Sequence, residues 1–183
     1  PPSKRSVSLR RLNVNTLKAI VKTIDWISQK VGSLLSWVLL CLVGLSCYEV
    51  FTRRFLGKPT IWTHEILGYI FAASILLTMG YTLLHRNHAN IDILYDMMSR
   101  RKKAMADVFT LTVFALFFTL VMLIDGTIFA YTSWSMQERT PSAFNAIVYP
   151  AKTLIPIGFF LLLLQVVADL IRNIFFLVKG EEL

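Results

Sequence analysis

Long apolar runs separated by short polar stretches dominate the chain. A bilayer-crossing helix needs about 20 mostly apolar residues. Four runs reach that length, at about 31–51, 65–84, 108–133 and 154–178. They are continuous rather than alternating, and about twice the length of a barrel strand, so helices are predicted. A different pattern precedes the first run. Leu17, Ile20, Val21, Ile24, Ile27 and Val31 recur at three- and four-residue steps, with Lys18, Lys22, Asp25 and Gln29 between them. This predicts a basic amphipathic helix, lying on the membrane surface or docked on a partner. A weaker stripe, Ile91, Leu94, Tyr95 and Met98, falls in the polar hairpin between the second and third runs. The expected fold class is therefore an all-α integral membrane protein. It has four transmembrane helices (31–178), an N-terminal amphipathic interfacial helix (1–30) and a short tail (179–183).

Composition agrees and narrows the function classes. Hydrophobic residues make up 55% of the 183 residues and charged residues 16%, against roughly 25% charged in soluble domains. The net charge of +8 would fit nucleic-acid binding on a soluble surface, which this composition does not provide. Mapped along the chain, the cations explain themselves. Fourteen of the 19 Lys and Arg fall in the N-terminal segment, the middle hairpin and the C-terminal end, and five on the other side. The positive-inside rule then places both termini and the hairpin in the cytoplasm. Tyr48, Trp62, Trp134 and Tyr149 mark the expected outer interface. About 30 residues precede the first run, which lacks an A-x-A site, so it reads as a retained anchor rather than a cleaved signal.

Candidate chemistry is sparse. Cys41 and Cys47 would sit about 9 Å apart along a helix, too far for a disulfide. A bis-histidine haem needs histidines inside the bundle, but His64, His85 and His88 lie at span ends or in a loop. His85, His88 and Asp92 have a loosely metal-like spacing whose bland reading is a polar helix start. Ionisable residues within spans are functional candidates by default. Glu49 can pair with Arg53 at i,i+4. Glu65 suits a helix N-terminus. Asp169 and Arg172 are spaced to pair with each other. Asp125 lies deepest, and structural pairing is its expected role too. Pro156 is expected in the first turn of the last span, where proline is tolerated. Gly32, Ser36, Gly68, Ala72 and Ala73 permit close helix packing. With no nucleotide, hydrolase or zinc-protease motif, the chain is expected not to be an enzyme.

The first outer turn reads Arg53-Arg54-Phe55-Leu56-Gly57-Lys58-Pro59-Thr60-Ile61-Trp62-Thr63-His64-Glu65, an R-x5-P-x2-W-x2-E skeleton between two spans. Gly80 follows, then His88, Ile91 and Asp92 in the basic hairpin. Tyr149-Pro150 and Ile155-Pro156-Ile157-Gly158 lead into a leucine-rich last span with Gln165. In order and layout this resembles the DctQ-like small membrane subunit of tripartite ATP-independent periplasmic (TRAP) transporters, from about residue 31 to 178. Arg54 departs from the pattern, standing where many members have Tyr.

The resemblance implies a non-catalytic scaffold in a bacterial or archaeal inner membrane. Its partners would be a large elevator-type permease subunit, a periplasmic substrate-binding protein and membrane lipid, with no nucleic acid. The subunit would hold no cofactor, while the complex would use a sodium gradient to take up an organic acid. The outer turn around Arg53, Arg54, Trp62 and Glu65 would brace the helix ends or face the binding protein. Two other readings stay open: the membrane anchor of a respiratory complex, and an autonomous small exporter, which Asp125 keeps alive.

Overall fold

A computed structural model of the chain describes residues 4–57, 60–85 and 99–180, with side chains from residue 15 onward. Four helices account for nearly all of it: α1 Lys4–Phe55, α2 Thr63–Leu84, α3 Arg100–Ser135 and α4 Tyr149–Lys179. Each is long and apolar enough to cross a membrane. No strand occurs among the described residues; a lone antiparallel bridge, Arg139 to Ile147, sits in the α3–α4 turn.

The helices run well past the apolar runs that announced them. Backbone hydrogen bonding does not stop where hydropathy falls, because charged residues such as Lys and Arg are good helix formers. Arg100 to Asp107 are therefore helical and extend α3 at the end carrying the α2–α3 hairpin. The largest difference is in α1. The amphipathic segment and the first span form one unbroken 52-residue helix, because no proline or glycine pair interrupts the junction near Lys30. Of the predicted stripe Val21 and Ile24 are buried, Leu17, Ile27 and Val31 are half-buried and Ile20 is exposed; the buried line runs on through Ser28, Gly32 and Leu35 in steps of three and four residues. Val21 and Ile24 pack on Ala168 of α4, flanked by Leu164 and Ile171. Part of the stripe is thus covered by the chain's own last helix.

α4 is the hub, packing on α1, α2 and α3. Without a hydrophobic drive between helices in lipid, such contacts depend on close backbone approach at small residues. Gly158 makes the tightest approach to a neighbouring backbone: a Cβ there would lie 2.7 Å from the Leu76 carbonyl oxygen of α2. Gly80 lies against the Leu161 backbone and the Ser28 hydroxyl. Gly68, by contrast, faces open space and makes no such contact.

Two helices carry local irregularities. In α3, residues Leu111–Leu116 form a π-helical segment, which rotates the helix face between its two halves. In α4, Pro156 is not in the first turn. The helix starts at Tyr149, seven residues earlier, so Pro150 takes the tolerated early position and Pro156 lies inside the helix. Lacking an N–H, Pro156 cannot bond the Lys152 carbonyl in the helical pattern.

Candidate functional site

Polar side chains gather at the two ends of the bundle. At the end bearing the α1–α2 and α3–α4 turns, Glu49 is buried at 7% exposure. Its carboxylate accepts hydrogen bonds from Arg53 Nη2 at 2.8 Å, Arg53 Nε at 3.3 Å and the Thr60 hydroxyl. Thr60 in turn bonds the fully buried Thr63 hydroxyl at the start of α2. The carboxylate therefore ties the last turn of α1 to the entry of α2. Glu65 does the equivalent work for the other turn. It accepts from Thr140 at 2.9 Å and from Ser142, and the Thr140 hydroxyl also accepts the Ala146 N–H at 2.9 Å. The turn folds back on itself through Thr140 N to Ala146 O and Val148 N to Glu138 O. The two acids thus hold separate partners and share no arginine.

Glu138 and Lys152 form a further bridge across the α3–α4 turn. The hydrogen bond from the Lys152 ammonium is the main reason the Glu138 carboxyl sits below the usual carboxylate range. Trp134 donates its indole N–H to Thr153 at 2.9 Å and its ring packs tilted against Tyr149, centroids 4.4 Å apart. Trp62 is partly exposed at 37% and precedes α2. Arg54 and Pro150 are exposed. Pro59, His88 and Asp92 lie outside the described residues, as does the Ile91 to Met98 stripe.

At the opposite end, a charged cluster joins helices far apart in sequence. Arg172 donates Nη1 to Asp169 at 2.6 Å and Nη2 to Asp25. Asp25 also accepts the Gln165 side-chain N–H at 3.2 Å, and the Gln165 oxygen accepts the Ser28 hydroxyl at 2.9 Å. Gln165 is completely buried, so its amide is satisfied only through α1. Sequence spacing exposes the Asp169–Arg172 pair but not Asp25, which reads there as one polar position on an amphipathic helix. Nearby, α2, α3 and α4 line a half-open cavity of about 790 Å³. Its walls are apolar, with Met79, Phe114, Phe118 and Val166 among them, and Asp107, Asp169 and Asn173 add polar atoms.

Asp125 behaves differently from the other acids. It is exposed on α3 and makes no hydrogen bond or ion pair with the described residues. The expectation that it pairs within the chain does not hold there.

Four helices long and apolar enough to cross a membrane, carboxylates that tie turns, and helix contacts set by glycine describe a membrane component. Over residues 42–176 the sequence matches the family described as tripartite ATP-independent periplasmic transporters, DctQ component. The chain belongs to the DctQ family. It is thus a small component of a TRAP transporter, and the match takes in the turn around Glu49 and Arg53, both π-segment flanks and nearly all of α4. The amphipathic part of α1, including Asp25 and Ser28, precedes the matched stretch. Neither the curated proteins nor the solved structures compared with it gave a match.

Proposed function

We propose that this DctQ-family chain is the fixed scaffold of its TRAP transporter. It holds a large elevator-type permease subunit in place while that subunit carries an organic acid into the cell. A periplasmic binding protein delivers the solute and a sodium gradient drives uptake; the small subunit itself binds neither cofactor nor metal. The chain sits in the inner membrane with both termini cytoplasmic, which puts the Glu49 and Glu65 ties on the periplasmic side and the Asp25–Arg172 cluster on the cytoplasmic side.

The observation that carries the scaffold reading is the tying of the bundle at both ends. Glu49 and Glu65 pin the turns at one end, and Arg172 with Gln165 pins α1 to α4 at the other. A subunit built to resist relative motion of its helices suits the stationary side of an elevator. The basic residues at the start of α1, whose apolar positions Val21 and Ile24 pack on α4, place positive charge beside the anionic inner leaflet. Arg53, Arg54, Trp62 and Glu65 brace the periplasmic turn.

The experiment is uptake by the reconstituted complex with α1 locked to α4. Cysteines replace Val21 and Ala168, which pack together, and Cys41 and Cys47 are removed. Oxidation should cross-link the pair and leave sodium-driven uptake at the reduced rate. Uptake that stops on cross-linking and returns on reduction would show that these helices must move, and the fixed-scaffold reading would be wrong.

A further inference from the structure

Asp125 lies ten residues before Ser135, where α3 ends. At 1.5 Å per residue that is about 15 Å inside the helix end, roughly midway through a hydrocarbon core of about 30 Å. The face it occupies is outward. Phe118, Val121, Ile128 and Phe129, one turn or two away on the same side, are all exposed. The buried face, with Thr119, Gly126, Ala130 and Ser133, lies about a third of a turn round the helix. Lys152 reaches over the Phe129 ring at 4.0 Å, but its ammonium is bonded to Glu138.

A carboxylate at mid-membrane depth on an outward face finds no hydrogen-bond donor in lipid tails, and such residues face a protein interior or a charged partner. We infer that the Asp125 face of α3 is the docking surface for a membrane-spanning helix of another chain that presents a lysine or arginine at the same depth. On the scaffold reading above, on which this inference rests, that helix belongs to the large permease subunit. A second copy of this chain does not fit. Its spans carry no Lys or Arg at that depth, and a twofold contact through this face would set two Asp125 carboxylates against each other. Lipid tails do not fit either, since they leave the charge unpaired.

The test co-expresses the tagged chain with the large permease subunit and measures how much permease purifies with it in mild detergent. Asp125→Lys places like charge against the partner and should reduce co-purified permease by at least about tenfold. Asp125→Asn, which still accepts a hydrogen bond, should reduce it less. Since Asp125 makes no hydrogen bond or ion pair with the described residues, both variants should match the wild-type unfolding midpoint. A photo-cross-linker at Val121 or Ile128 should capture the permease, and one at the exposed Val43 of α1 should not. Wild-type levels of permease with Asp125→Lys, or capture of lipid or a second copy at 121 and 128, would overturn the inference and leave the scaffold reading standing. Failure of even the wild-type chain to retain the permease would sink both.

Discussion

Replacing Asp25 with alanine should loosen the N-terminal half of α1 from the bundle. The change removes the acceptor for Arg172 Nη2 and for the Gln165 amide. Arg172 keeps Asp169, so its charge is not stranded. The Asp25 and Arg172 side chains are 26% and 28% exposed, between the exposed pairs worth about 0–1 kcal/mol and the buried pairs whose loss costs about 3–5 kcal/mol. The retained Asp169 contact and partial exposure place the ionic part near 1 kcal/mol. Gln165 is fully buried, and an amide N–H left without a partner there costs about 1–3 kcal/mol. The expected total is about 2–4 kcal/mol. Unfolding by SDS titration in mixed micelles would measure it, with Asp25→Asn as the conservative control. Asp25 receives the two donors on different oxygens, so Asn, with one acceptor oxygen, keeps one of the two bonds and should cost less than Asp25→Ala. Lys22→Ala, an exposed change on the same helix, should be near neutral. A double-mutant cycle with Arg172→Met isolates the pair. Asp25→Ala within about 0.5 kcal/mol of wild type, or a Lys22→Ala loss equally large, would refute the claim that this cluster holds α1 to α4.

Other outcomes follow from the same geometry. Gly158→Ala drives a methyl into the Leu76 backbone and should cost about 1–3 kcal/mol by overpacking, whereas Gly68→Ala, which meets open space, should be neutral or gain up to about 1 kcal/mol; equal effects in thermal unfolding would contradict the packing described. The Glu138 carboxyl is held below its ordinary value of 4.5 by Lys152, so its stabilising contribution is present above about pH 4.5 and fades as pH falls through the lowered folded value. The stability difference between wild type and Glu138→Gln should therefore shrink on acidification through that window, and a difference that grows would reverse the sign of the argument. Asp125→Asn in an assembled complex should leave sodium coupling intact; lost coupling with normal assembly would assign this chain a part in ion translocation.

Much of the fold is visible in one dimension because its determinants are local. Apolar runs near 20 residues and the step pattern of Leu17, Ile20, Val21, Ile24, Ile27 and Val31 each need only the helix period. Arg53 four residues after Glu49, and Arg172 three after Asp169, are neighbours on any α-helix. The partners of Glu65 were not legible in this way. Thr140 and Ser142 lie 75 and 77 residues away, in a turn whose hydroxyls look like ordinary loop residues. Gly68 and Gly158 look alike as small residues in apolar runs, yet only Gly158 meets a backbone.

The sequence by itself determined that the chain is a four-span helical membrane protein with an amphipathic, basic start, and it carried the signature of the DctQ family. Hydropathy and helical period act over a turn or a span, so one chain suffices to read them. Tertiary structure alone decided that Asp25 and Gln165 join α1 to α4 across 140 residues, and that Asp125 faces outward with no hydrogen-bond or ion-pair partner among the described residues. Those facts depend on the rotation and depth of each helix against its neighbours. Many small packing contacts set both together, and no local spacing encodes them.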